Sequence, residues 1–186
     1  MDAFVFLRVR PGKVEDVLTQ IQASKGVRNA VTVVGDWDVL AAVHGPDVAG
    51  IASDVLRFIH RVDGVERTMT APVVPADVMG LAGGGLGTTL PLQRVDDACF
   101  VRIRTAPDST THIFEALAEM DDVAGVALIA GEDDLLAEIA EPWDEGARVI
   151  LERIQRIPGI VATNTLVAVP LLPSDDDDRD AFSAWS

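Results

Sequence analysis

Apolar and polar residues alternate from Ala3 to Arg10, the two-residue period of a half-buried strand. Pro11-Gly12 interrupts it, and the apolar residues that follow, Val14, Val17, Leu18 and Ile21, recur at the spacing of one helix face. Val27 to Val34 is β-branched and extended, Gly35-Asp36 supplies turn chemistry, and Trp37 to His44 runs back as the second arm of a hairpin. After the Gly45-Pro46 break, Asp47 is placed to cap a helix whose Val48, Ile51, Val55 and Ile59 form one stripe, stopped by Asp63-Gly64. A last strand covers Val65 to Val74. The predicted order is βαββαβ.

The same order returns about 95 residues later. Phe4-Val-Phe-Leu-Arg-Val-Arg10 is matched by Phe100-Val-Arg-Ile-Arg104, and Val33-Val-Gly-Asp-Trp-Asp-Val-Leu40 by Ile129-Ala-Gly-Glu-Asp-Asp-Leu-Leu136. Gly64-Val-Glu-Arg-Thr-Met-Thr70 is matched by Gly159-Ile-Val-Ala-Thr-Asn-Thr165. The second copy is therefore read as a strand to Arg104, a helix from Asp108, a hairpin about Gly131, a helix from Asp144, a stop at Pro158-Gly159 and a final strand to Val169.

Four strands and two helices in this order predict an α+β fold, a ferredoxin-like unit whose helices cover one sheet face. Two tandem units are expected, over residues 1–75 and 96–172. Each leaves a bare sheet face, so the units are expected to pair in the manner of a dimeric α+β barrel. Residues 76–95, with Gly83-Gly84-Gly85, Gly87 and Pro91, read as a Gly-rich linker. Residues 173–186 open on a run of four aspartates and are expected to stay solvated as an acidic tail.

Composition narrows the function. A net charge of −15, with only two lysines, repels a phosphate backbone, so direct nucleic-acid binding is not expected. This Asp-rich, Lys-poor balance also suits a high-salt cytoplasm, where screening is short-ranged. No apolar run is long enough to cross a membrane as a helix, and the N-terminal residues do not follow the order of a secretory signal, so a cytoplasmic location is expected. The single cysteine, Cys99, sits in an apolar run and is read as core.

Candidate chemistry is sparse. The glycines of the linker are followed by no lysine and no helix, which argues against a phosphate loop. His44, His60 and His112 fall at non-equivalent places and lack metal-ligand spacing; no metal site and no cofactor are expected. No nucleophile sits in a recognisable elbow, so no catalytic residue is assigned and the chain is expected not to be an enzyme. What remains is the hairpin Gly35-Asp36-Trp37-Asp38: N–H donors for a carboxylate, acceptors for an ammonium and an aromatic wall, the three needs of a free amino acid. Thr68 and Thr70 add hydroxyls on a strand expected to lie near the hairpin.

These residues, in this order, resemble the ligand-binding (RAM) domain of the Lrp/AsnC transcription regulators, over both copies. The resemblance implies sheet-to-sheet pairing, assembly into larger homo-oligomers and an amino-acid effector near the hairpin turn, in transcriptional or metabolic regulation. It implicates Gly35, Asp36, Trp37, Asp38, Thr68 and Thr70, and in the second copy Gly131, Glu132, Asp133, Asp134, Thr163 and Thr165. With a strand beginning directly after Met1, the family's helix-turn-helix is not expected ahead of it, and a DNA-binding relative is an expected partner beside a homo-oligomer. Asp133 stands where the first copy has Trp37, so the second site is expected to be the weaker. Alternatives are a small α+β barrel enzyme, which would need a polar cluster inside the barrel near His44 or Asp38, a purely structural oligomerisation module, and an ACT-type domain with its ligand at Pro11-Gly12.

Overall fold

The computed structural model describes residues 1–81, 98–139 and 141–169. The alternating segments form eight strands: β1 (Asp2–Val9), β2 (Val27–Val34), β3 (Val39–His44), β4 (Val65–Val74), β5 (Cys99–Thr105), β6 (Val123–Ile129), β7 (Leu135–Ile139) and β8 (Ile160–Ala168). The helical segments form α1 (Val14–Gln22), α2 (Val48–Asp54), α3 (Thr110–Ala118) and α4 (Trp143–Arg148). Both α2 and α4 run on through a π-helical turn, Val55–Ile59 and Val149–Arg153. Each copy is the expected βαββαβ unit.

The two bare faces do not simply stack; their edges join. The strands close into one antiparallel barrel in the order β1-β3-β2-β8-β5-β7-β6-β4. The seams are short, with Val33 opposite Ala168 and Val34 opposite Val167 at one, and Val73 opposite Ile129 and Val74 opposite Leu128 at the other. Closure satisfies backbone groups that would otherwise lie along four exposed edges.

Strand alternation divides the apolar residues into three bodies. Phe4, Phe6, Leu40, Phe100, Leu136 and Leu166, with others from both copies, fill the barrel. The opposite faces of the strands pack under α1 and α2 in the first copy and under α3 and α4 in the second. Cys99 is buried in the latter layer, as its apolar surroundings required.

Several local expectations change. Asp47 caps α2 by accepting from the N–H of Gly50, but Val48 is 51% exposed while Ile51, Val55 and Ile59 are buried, so the stripe begins one turn later. The third helix starts at Thr110, because Asp108 adopts a left-handed turn (φ 64°) equivalent to that of Gly12. Aspartate tolerates this conformation better than most side chains. The fourth helix begins at Trp143. Ala76–Met79 forms a 3-10 turn and Leu81 is buried in the second helical layer, so the start of the segment read as linker is packed. Residues 82–95 of that segment, residues 96–97 and 170–172 at the ends of the second unit, and the acidic tail lie outside the described residues. No described helix is long and apolar enough to cross a membrane.

Candidate functional site

Both hairpins turn in the same way. Gly35 (φ 154°) and Gly131 (φ 156°) take matching backbone conformations, and Asp38 and Asp134 follow them at equivalent places. The Asp38 carboxylate accepts the N–H of Val9 (2.8 Å), and that of Asp134 accepts the N–H of Thr105 (2.7 Å). These are the points where the ladders of β1 and β5 slip register, and each aspartate satisfies an N–H released there. Asp38 and Asp134 thus hold the strands in shape.

The glycines differ in what surrounds them. A Cβ on Gly35 would lie 2.7 Å from Leu166 Cδ2 and 2.8 Å from the carbonyl oxygen of Thr165, whereas one on Gly131 would meet nothing within 4 Å. The first hairpin therefore lies close on β8 of the other copy. Gly35→Ala is expected to destabilise the protein by about 1–3 kcal/mol more than Gly131→Ala, because backbone has to move to admit the methyl. Urea unfolding of the two variants checks this, and equal losses would count against the close approach.

Between the hairpins lies a cavity of about 220 Å³ lined by Arg8, Asp36, Trp37, Arg67, Arg102 and Glu132. Residues of both copies contribute, so the two hairpins share this cavity. Trp37 is buried against Phe6 (ring centroids 6.1 Å apart), with the Arg67 guanidinium 5.4 Å from its ring centre. Arg102 is 3% exposed. Its guanidinium sits 5.3 Å from the centre of the Phe6 ring, donates to Asp36 Oδ2 at 2.5 Å and approaches Asp133 Oδ2 at 3.5 Å.

The hydrogen bonding of Arg102 is incomplete. Among the described residues its Nε has no hydrogen-bond partner, and its NH1 reaches only the Met69 sulfur at 3.9 Å. Burial raises the pKa of Asp133 above the usual carboxylate range, against the pull of Arg102 and Arg104. Around the rim, Arg67 pairs loosely with Glu132 (3.9 Å) and Arg8 with Asp38 (3.8 Å). Such exposed pairs hold their partners weakly and leave the arginines available to an incoming anion.

A family model for the Lrp/AsnC ligand binding domain matches residues 2–76 and again 98–171. The chain belongs to that family. Its two Lrp/AsnC domains are the two halves of the barrel. No curated protein matches the sequence significantly. Among solved structures, the siroheme decarboxylase NirDL is similar over 91% of this chain and 71% of its own, with a TM-score of 0.70 and 14% identity. The same decarboxylase in complex with an iron-uroporphyrin III analogue matches with a TM-score of 0.67, also at 14% identity and over 91% and 71% of the two chains. A mutant chlorite dismutase from Candidatus Nitrospira defluvii matches over 91% of this chain and 90% of its own, with a TM-score of 0.52 and 11% identity. These matches overturn the expectation that the chain is not an enzyme: these structures, similar over 91% of the chain, are of enzymes, and at such identities the likeness is one of fold.

The Lrp/AsnC hairpins bring together only part of the sequence-derived set. Asp36, Trp37 and Glu132 line the cavity, and Asp133 lies behind it on Arg102. The threonines do not join them. Met69, Ala71 and Leu166 face the barrel, so alternation turns Thr68, Thr70 and Thr165 to the helical side. There Thr68 bonds to His60 Nε2, and Thr163 accepts from Gln155 at 2.8 Å. His44 pairs with Asp2 at 2.8 Å, and no histidine lines the cavity. The polar cluster inside the barrel is accordingly not at His44 or Asp38.

Sequence reasoning missed Arg102, Arg8, Arg67 and Glu138. Arg102 occupies the place of Phe6 in the repeat, and Glu138 that of Ala42, one strand position from a core residue on either side. A charge on the buried face of a strand was the available signal.

Proposed function

We propose that the Lrp/AsnC domains of this chain bind one small carboxylate-bearing molecule per chain, an amino acid, in the cavity between the hairpins, as a sensing step in transcriptional or metabolic regulation. The observation that carries this reading is Arg102, a buried guanidinium with an unsatisfied Nε beside a cavity that Arg8 and Arg67 also line. A desolvated arginine fork matches a carboxylate in charge and geometry. Asp36 and Glu132 offer acceptors to an ammonium group, and Trp37 an apolar wall. In this reading Gly35, Gly131, Asp38, Asp134 and the four threonines shape the fold around the ligand.

At about 220 Å³ the cavity lies below the roughly 300–1,000 Å³ of sites for drug-sized ligands. That fits an amino acid. It is small for the tetrapyrrole named with the decarboxylase, and the barrel beneath is packed with apolar side chains. The exposed apolar residues Val48, Leu56 and Trp143 on the helices support further assembly of the chain, with itself or with a DNA-binding relative.

Isothermal titration against the twenty amino acids tests the reading. One site per chain is expected; absence of heat with all of them at millimolar concentration refutes it. A second reading, catalysis in the barrel interior, is favoured by Glu138, a buried carboxyl outside the lining of the cavity between the hairpins, whose pKa burial pushes up to about 7, where a group can both give and take a proton.

A further inference from the structure

Glu138 is 1% exposed, and neither carboxyl oxygen has a hydrogen-bond partner among the described residues. Alternation along β7 places it on the barrel side with Leu136, between Ala137 and Ile139 of the helical layer. Phe100 stands opposite it on β5 and Gly125 on β6. The fold does not require a carboxyl there, since the equivalent position in the first copy is filled by Ala42. An unpaired buried carboxyl is costly, and one retained in a packed interior calls for a role.

Its nearest charged neighbour on that face is set by the strand register. Arg102 is opposite Leu136 and Phe100 is opposite Glu138, so the two charged residues are diagonal neighbours across β5 and β7, with Cα atoms roughly 7–8 Å apart. On the same strand faces stand apolar residues of β5 to β8, together with Asn164 opposite Arg102 and Arg104 one step further along β5, and the acids of this region, Asp36 and Asp133, are turned to Arg102. Burial alone raises the pKa of the Glu138 carboxyl in the unliganded chain, and at that separation, away from water, an anion added beside Arg102 would raise it further.

We propose that Glu138 is a proton site coupled to the anion site, so that a carboxylate taken up at Arg102 is accompanied by a proton held on Glu138. This rests on the carboxylate-binding reading above. Charge balances in the step: the ligand anion enters, one proton from solvent joins the ionised fraction of Glu138, and no bond to carbon changes. Glu138 is a positioning residue in the electrostatic sense, since it acts on the ligand through the charge state of the interior.

The test is calorimetry of the whole chain with acetate, a carboxylate without an amine to titrate, between pH 6 and pH 9. Acetate affinity is expected to weaken about tenfold over that range, equivalent to a one-unit rise in the pKa of Glu138 on binding. At pH 7.5 the heat should differ between Tris and Hepes by the ionisation heat of the protons taken up. Glu138→Gln should flatten both dependences, and Glu138→Ala, which installs the side chain of the first copy, should do the same. Acetate binding that ignores pH and buffer, or a pH profile that survives both substitutions, overturns the coupling and leaves the carboxylate reading standing. Absence of binding by acetate and by every amino acid at all pH values overturns both.

Discussion

Arg102→Phe is expected to lower the unfolding free energy by about 3–5 kcal/mol, the usual loss when one partner of a buried ion pair is removed. Asp133 is left in the barrel wall without its cation, and Asp36 loses the donor that ties the first hairpin to β5. The variant should also lose binding of any carboxylate. The repeat offers a compensating change. In the first copy the equivalent pair is Phe6 and Trp37, packed ring against ring. Adding Asp133→Trp to Arg102→Phe should therefore restore a large part of the lost stability without restoring binding. Urea denaturation of the two single variants and the double completes a cycle, and a coupling below about 0.5 kcal/mol would show that the two positions act independently.

Glu138→Gln is expected to stabilise the protein at pH 8 by about 3 kcal/mol and to have little effect at pH 4. Burial pushes the carboxyl up to about 7 in the folded chain from an ordinary 4.5, so folding favours the protonated form. Its stabilising contribution is fully present below pH 4.5, falls as the pH rises toward 7, and is gone above it. The interval is about 2.5 units at about 1.4 kcal/mol each. Thermal unfolding at pH 4, 6 and 8 should show the wild type losing ground to the variant across this window, and parallel curves would mean that Glu138 is already ionised or already paired.

Most of the architecture was legible because strand and helix periods differ and because the chain states its pattern twice. Ala3 to Arg10 read as a strand, and Val17 and Ile21 as one helix face. Less of the site could be read. The hairpin residues Asp36 and Trp37 were found, since turn chemistry and an exceptional aromatic are local features. Thr68 and Thr70 were placed near the other copy's hairpin on proximity alone, and only the face of β4 on which Met69 and Ala71 lie shows that their hydroxyls point away. Arg102 and Glu138 are informative only once their strands are known to line a closed interior, and closure depends on pairing at Val33 and Val73 that no local pattern announces.

Phe6 and Arg102 hold the same place in the two domains, yet they touch each other across the middle of the barrel. In an assembly of two identical chains, a residue so near the axis meets its own copy, and an arginine there would face an arginine with no water between them. Joining the domains in one chain removes that constraint. A single cation can then be set against an aromatic ring, and a single carboxyl at position 138 against the alanine of its twin. A dimer of separate domains could hold such a charge only in duplicate.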